Sequence, residues 1–207
     1  MTNTSKAFWE AHYSKLVKPS SGKPSKLLEH FTKGRIPARA LDIGCSRGDD
    51  AIWLAKQGWQ VTGVDISETA LQAARDKTRE VGLSGQTNFE CHDLNTSFPE
   101  GEFDLISAMY LHSPAEYTFH RVATLQRAAA STASGGLLLI VAHGSRAPWS
   151  WADPEFKFPT AEEELKSLSL DDTRWKPLFV GPIERQAIGP NGETATVTDS
   201  VIALERI

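Results

Sequence analysis

Between residues 38 and 143, short apolar runs alternate with amphipathic stretches, and this alternation constrains the fold more than any other feature of the chain. ARALDI (38–43) leads through the turn of LDIGCSRGDD into DAIWLAKQ, a helix stopped by Gly58, and WQVTGVD (59–65) follows as a second strand. Ser67 stands as the N-cap of the next helix, with Glu68 on its dipole side and Ala70, Leu71, Ala74 and Val81 along one face before Gly82. TNFECHD (87–93), FDLISAM (103–109) and LLLIVAH (137–143) read as further strands. Ser113-Pro114-Ala115-Glu116 has the form of a capping box and predicts a helix over 114–131, broken at Ser134-Gly135-Gly136. Strands that alternate with helices of this length imply a doubly wound α/β fold, a parallel sheet with helices on both faces.

The tail breaks the rule. A strand near 174–188, the turn GPNG and the run TVTDSVIALER follow one another without a helix between them, which predicts a hairpin. The sheet is therefore expected to have seven strands, mostly parallel, with one antiparallel terminal strand. At 207 residues there is room for one well-buried domain and little more. Residues 1–33 are expected to form a helical cap, 38–143 the core, 144–160 a lid and 174–206 the terminal hairpin. In the cap, Phe8, Trp9, His12, Tyr13 and Leu16 recur at helical spacing, and a second short helix is expected from Pro24 to Phe31.

Composition matters chiefly for what it excludes. A net charge of −4 lacks the basic excess of a polyanion binder, so nucleic acid is a poor substrate candidate. No run approaches the roughly 18 apolar residues of a membrane span, and the N-terminus lacks a signal-like apolar core. Cys45 and Cys91 are too few for a disulfide scaffold and lack metal-ligand spacing, so no metal site and a reducing cytoplasm are expected. Both read as packing residues, with no electropositive partner to make either a nucleophile.

In an open parallel sheet, ligands bind beyond the carboxyl ends of the strands, beside the switch point. Those ends collect Asp42 with the turn to Gly48, then Asp65, Asp93 with Leu94, the run Met109-Tyr110-Leu111-His112, and His143. A glycine turn followed by an acid ending the second strand also describes a nicotinamide site. That fingerprint needs glycines at 44, 46 and 49, where the chain has Gly44, Ser46 and Asp49. A carboxylate at the helix start would also repel a pyrophosphate about 5 Å away by roughly 3 kcal/mol at an effective dielectric near 20. A cationic nucleoside suits these acids better, since Asp65 can accept from both ribose hydroxyls and Asp93 from an exocyclic amine.

ALDIGCSRGDDAIWLAKQGWQVTGVDIS, CHDL and ISAMYLH together resemble the Rossmann-like core of class I S-adenosylmethionine-dependent methyltransferases over residues 38–143. The resemblance is closest to the small-molecule branch that includes tellurite-resistance and thiopurine methyltransferases. It implies methyl transfer to a small-molecule acceptor, with S-adenosyl-L-methionine as cofactor and S-adenosyl-L-homocysteine as product. It also implies that Gly44, Cys45, Ser46 and Gly48 form the turn against the cofactor, that Asp42 orients its ammonium and that Asp65 holds the ribose. Asp93 and the Leu94 N–H would meet the adenine, Ile66 would pack on its face, and the Met109 carbonyl would face the ammonium. Ser46 departs from the pattern, which usually has glycine there. SAMY stands where amino-methylating enzymes of DNA and protein glutamine carry an NPPY-like motif.

On the acceptor side, His112 is a candidate general base for an amine or hydroxyl, and Tyr110 beside it is a candidate partner. A thiolate or similar soft anion would need no base. Trp9, Tyr13, His143, Trp149 and Trp151 are expected to wall the substrate pocket, with the aromatic, proline-rich loop after residue 143 as its lid. The acceptor class stays open among thiol, metalloid and amine-like nucleophiles, and the protein is expected to be a monomer or homodimer. Two rivals remain: a noncatalytic S-adenosylmethionine-binding protein and a nicotinamide-dependent oxidoreductase.

Overall fold

A computed structural model describes residues 4–16, 20–150 and 155–207. Two helices, α1 (Ser5–Lys15) and α2 (Lys26–Thr32), precede the alternating core. The core runs β1 (Arg39–Ile43), α3 (Asp49–Lys56), β2 (Gln60–Asp65), α4 (Glu68–Glu80), β3 (Thr87–Cys91), β4 (Phe103–Met109), α5 (Arg121–Ala130) and β5 (Thr132–His143). Then come α6 (Ala161–Leu168) and the hairpin β6 (Trp175–Ile188) with β7 (Thr194–Arg206).

The seven strands lie in the order β3-β2-β1-β4-β5-β7-β6. β1 pairs in parallel with β2 on one side and β4 on the other, so the chain reverses direction across the sheet at β1, and a crevice opens beyond its carboxyl end. β7 is antiparallel to both β5 and β6. The reversed strand is thus the last in sequence but sits one place in from the edge. β6 forms the edge and carries Pro177 and Pro182, with a register shift between Pro177 and Phe179.

Residues buried on both faces explain the apolar run of β5. Leu137, Leu139 and Val141 join Leu54, Leu71 and Leu28 in one core, while Leu138 and Ile140 join Leu41, Leu125 and Ile202 in the other.

Two local expectations are corrected and one helix was not anticipated. The segment after Ser113 does not open a helix: Tyr117 N–H donates to the Pro114 carbonyl in a turn, and α5 starts only at Arg121. Asn95 is the physical reason, because its amide donates to the Thr118 carbonyl (2.9 Å) and accepts from the His120 N–H (2.8 Å), satisfying backbone groups an earlier helix would have used. Ser134-Gly135-Gly136 does not precede β5 but lies within it, since Thr132 already pairs with Phe103 and the register then shifts before Leu105 meets Leu137. α6, which sequence reading passed over, is opened by a capping box in which Thr160 accepts from the Glu163 N–H and Glu163 accepts from the Thr160 N–H. Among the described residues, no helix is long and apolar enough to cross a membrane, and no cluster of potential metal ligands forms.

Candidate functional site

The turn after β1 is held from below. Gly44 and Cys45 donate their N–H groups to the Val64 carbonyl at 2.8 and 2.9 Å. Gly44 (φ +74°) and Gly48 (φ +77°) both lie in the left-handed region, and a Cβ would stand 2.7 Å from Leu111 Cδ1 at the first and 2.8 Å from Ala74 Cβ at the second. Between them Ser46 adopts φ 52° without a glycine's freedom. This strain, worth roughly 1–2 kcal/mol, is the physical reason for the glycine usual at that place. Its N–H donates to Asp65 Oδ2 at 2.9 Å, and a bond to a charged acceptor, worth about 1.5–3 kcal/mol, offsets it. Ser67 N–H donates to the other oxygen of Asp65 at 3.0 Å, so β2's terminal acid anchors both the turn and the start of α4.

These carboxylates are buried without an opposite charge in the bonds they make. Asp42 is 2% exposed and, among the described residues, takes only the Ser107 hydroxyl at 3.1 Å. Burial first, then the charges of Asp50 and Asp65, push its carboxyl up to about 8 despite that bond. Burial likewise raises the Asp65 carboxyl against three backbone hydrogen bonds. Such a nest is relieved by a cation, which is the fit expected of a ligand bearing a sulfonium and an ammonium. The acids that opened α3 have other partners. Burial would raise the Asp49 carboxyl, but Lys77, Ser20 and Ser21 hold it below the usual range, and Lys77 Nζ is 2.8 Å away. Asp50 accepts from the Ser25 N–H at 2.6 Å and is pushed up to about 6, chiefly by burial.

Over this floor lies a cavity of about 220 Å³. Gly44, Ser46, Asp65, Ile66, Asp93, Leu94 and Met109 line one part of it, and Tyr110, Leu111, His112 and Ser113 line another. Trp9 and Tyr13 from α1 form a wall, with His92, Asn95 and Phe119 completing it. Asp42, Cys45 and Gly48 are not on the lining; the Cys45 thiol packs in the core, where burial and then Asp42 and Asp65 raise it. His143 and Trp149 also stand off the lining, and Trp151 lies outside the described residues.

Glu10 explains how α1 comes to cover the site, and sequence reading missed it. Its carboxylate accepts from Ser67 Oγ (3.0 Å), Glu68 N–H (2.7 Å) and Thr69 N–H (3.2 Å), filling the N-terminus of α4. Burial alone would raise this carboxyl, yet those hydrogen bonds hold it below its ordinary value.

The far end of the cavity is built on Tyr110, a second non-glycine residue in the left-handed region (φ 53°). Its N–H donates to the Val141 carbonyl at 2.7 Å, its hydroxyl to Asp199 Oδ2 at 2.8 Å, and its ring stacks on His143 with centroids 4.7 Å apart. Asp199 is fully buried and is gripped by Arg185, Nε at 2.7 Å from Oδ2 and Nη2 at 3.3 Å from Oδ1. Burial and then Asp199 push the Tyr110 phenol well up, so it stays protonated. Burial and then the neighbouring His112 lower His143, which keeps its ring neutral near pH 7. His112 Nδ1 lies 2.6 Å from the Tyr110 carbonyl. A carbonyl only accepts, so Nδ1 carries the proton and the neutral ring presents its lone pair at Nε2. Trp9 meets His112 edge-on at 6.1 Å. Asp199 and Arg185 were also missed; their one sequence signal is a lone acid within the apolar run of β7.

The profile of a family described as a methyltransferase domain matches residues 40–136. A putative methyltransferase of Geobacillus sp. (strain WCH70) is 33% identical over 160 residues, covering 70% of this chain and 59% of the relative. Residues 40–136 thus form a methyltransferase domain, set in the fold of the class I S-adenosylmethionine-dependent methyltransferases. The chain spans less than two thirds of the length of the curated relatives it matches. Two solved structures share the fold. One, from work on conversion of a disulfide bond into a thioacetal group during echinomycin biosynthesis, has TM-score 0.72 at 23% identity and covers 97% of this chain and 91% of that one. The other, TehB from Haemophilus influenzae, has TM-score 0.66 at 19% identity and covers 98% of this chain and 67% of its own.

Proposed function

We propose that this protein transfers a methyl group from S-adenosylmethionine to a small-molecule acceptor bearing a thiol, metalloid or amine-like nucleophile. The observation that carries the reading is a single cavity whose lining joins the strand-end acids Asp65 and Asp93 to His112. When bound, S-adenosylmethionine supplies an electrophilic methyl group. On this reading Asp65 accepts from the ribose hydroxyls, Asp93 and the Leu94 N–H meet the adenine, and Ile66 packs on its face. The turn from Gly44 to Gly48 admits the cofactor close to the backbone, with Asp42 and the Met109 carbonyl balancing its ammonium. Trp9 and Tyr13 exclude water. Displacement at a methyl group depends mainly on alignment, so the protein's largest contribution is orientation, worth up to roughly 7–11 kcal/mol. His112 Nε2 takes the proton of an acceptor that must lose one, and a soft anion reacts without it.

A radiolabelled methyl-transfer screen over thiols, metalloid oxyanions, amines and phenols tests the reading. His112→Ala should lower kcat by about 10²- to 10⁴-fold for acceptors that lose a proton, with affinity for S-adenosylhomocysteine unchanged. Binding without transfer to any acceptor would make the protein a noncatalytic binder. Tighter binding of NAD than of S-adenosylhomocysteine would make it an oxidoreductase.

A further inference from the structure

Methyl transfer makes no direct use of Asp199, a carboxylate wholly removed from water and paired with the half-exposed guanidinium of Arg185. Taking a charge out of water is costly even when it is paired, so Asp199 calls for a reason of its own. What it grips is the Tyr110 hydroxyl. Tyr110 is in turn the residue whose backbone is held in the left-handed region, fixed by the bond to Asp199, the stack on His143 and the N–H bond to Val141. With the backbone in that conformation, its carbonyl meets His112 Nδ1. A chain of direct contacts therefore runs from the hairpin strands β6 and β7 to one nitrogen of the candidate base.

We propose that Asp199 is a positioning residue: acting through Tyr110, it locks His112 in the Nδ1–H tautomer and so reserves the Nε2 lone pair for the acceptor's proton. This rests on the reading of His112 as the base. Arg185 donates to both oxygens of Asp199, so the phenol is the donor in its bond to that carboxyl, and the carbonyl of the same tyrosine faces a ring that must donate to it. Among the described residues, the titratable or charged groups around His112 are His143, with ring centroids 6.2 Å apart, and, behind it, Tyr110, Asp199 and Arg185; Arg121 donates to the carbonyl of the adjacent Leu111, and the α1 side presents the indole of Trp9 flanked by Tyr13 and His12. Without the Tyr110 hydroxyl bond, the strained backbone is free to relax, the carbonyl turns away, and the imidazole loses the partner that fixes its tautomer.

The test is a long-range ¹H–¹⁵N correlation spectrum of the uniformly ¹⁵N-labelled full chain with S-adenosylhomocysteine, above the titration range of the histidines. Both ring nitrogens of His112 are assigned by their loss in His112→Gln. The native protein should show the Nδ1–H form, and Tyr110→Phe and Asp199→Asn should each shift it to a mixture or to the Nε2–H form. Tyr110→Phe retains the ring and the Asp199–Arg185 pair, so it decides the matter even if Asp199→Asn does not fold. An unchanged Nδ1–H form in Tyr110→Phe, or its absence from the native protein, overturns the proposal. With an acceptor from the screen, Tyr110→Phe should lower kcat about 10- to 100-fold without raising KM for S-adenosylmethionine. Failure of all methyl transfer would remove the base assignment without altering these spectra, so the two failures are told apart.

Discussion

The two ends of the cavity are made of different materials. The end proposed for the cofactor is assembled by neighbouring strands β1, β2 and β3 from backbone turns and strand-end acids, and its buried carboxylates take hydrogen bonds that bring no positive charge. The end proposed for the acceptor is assembled from β4, β5, β6, β7 and α1, and its charges already answer one another in the Tyr110–Asp199–Arg185 set. One end has a standing electrostatic demand that a cation fills; the other is a neutral ring-lined wall with one open proton acceptor. On the proposed reading, the contrast makes cofactor binding a matter of charge and acceptor choice a matter of shape.

The largest effect that should separate the two ends comes from the loop after β5, proposed as a lid, where Phe156 stands 56% exposed with its ring 5.0 Å from Phe158. Deleting residues 147–158 should abolish turnover in the radiolabel assay while calorimetry finds S-adenosylhomocysteine affinity largely intact; undiminished turnover would end the lid. Next in size, Asp65→Ala should weaken S-adenosylhomocysteine binding by about 1.5–3 kcal/mol, the value of hydrogen bonds to a charged group. Unaltered affinity in the same calorimeter would mean that the acid end is not the cofactor end. The smallest effect belongs to Ser46. Replacing it by glycine removes strain of roughly 1–2 kcal/mol but adds freedom to the unfolded chain, so a net gain of about 1 kcal/mol or less is expected. In a chain of this size that is a rise in Tm of about 4 °C or less, and a lowered Tm would show that Ser46 contributes more than its backbone.

The difference between the ends also governs how much could be read in advance. At the cofactor end, each feature is local: a strand, a turn whose glycines have positive φ, a helix start, and an acid where the next strand stops. Asp65 and Ser46 lie on adjoining strand ends, and the periodicity of the two strands is enough to bring them together. The seven strands and the hairpin were legible for the same reason. At the acceptor end the decisive partners are far apart in the chain. Tyr110 and Asp199 are separated by 89 positions, and nothing in either neighbourhood announces the bond. Glu10, which caps α4 from 58 residues away, is hidden in the same way. Local signals could also mislead where tertiary bonds compete with them: Asn95 claims the backbone that Ser113-Pro114-Ala115-Glu116 would have started as a helix, while the true capping box at Thr160 went unread.

The prolines of β6 have a consequence outside the site. The outermost strand of a sheet offers its unpaired backbone as a template on which another chain can grow, and a strand of 14 residues offers a long one. Pro177 and Pro182 carry no N–H, and the register shift beside Pro177 disturbs the spacing of the donors that remain. A strand arriving at this border would find a row of bonds interrupted twice, so the hairpin that helps to build the acceptor wall also guards the protein against polymerising edge to edge.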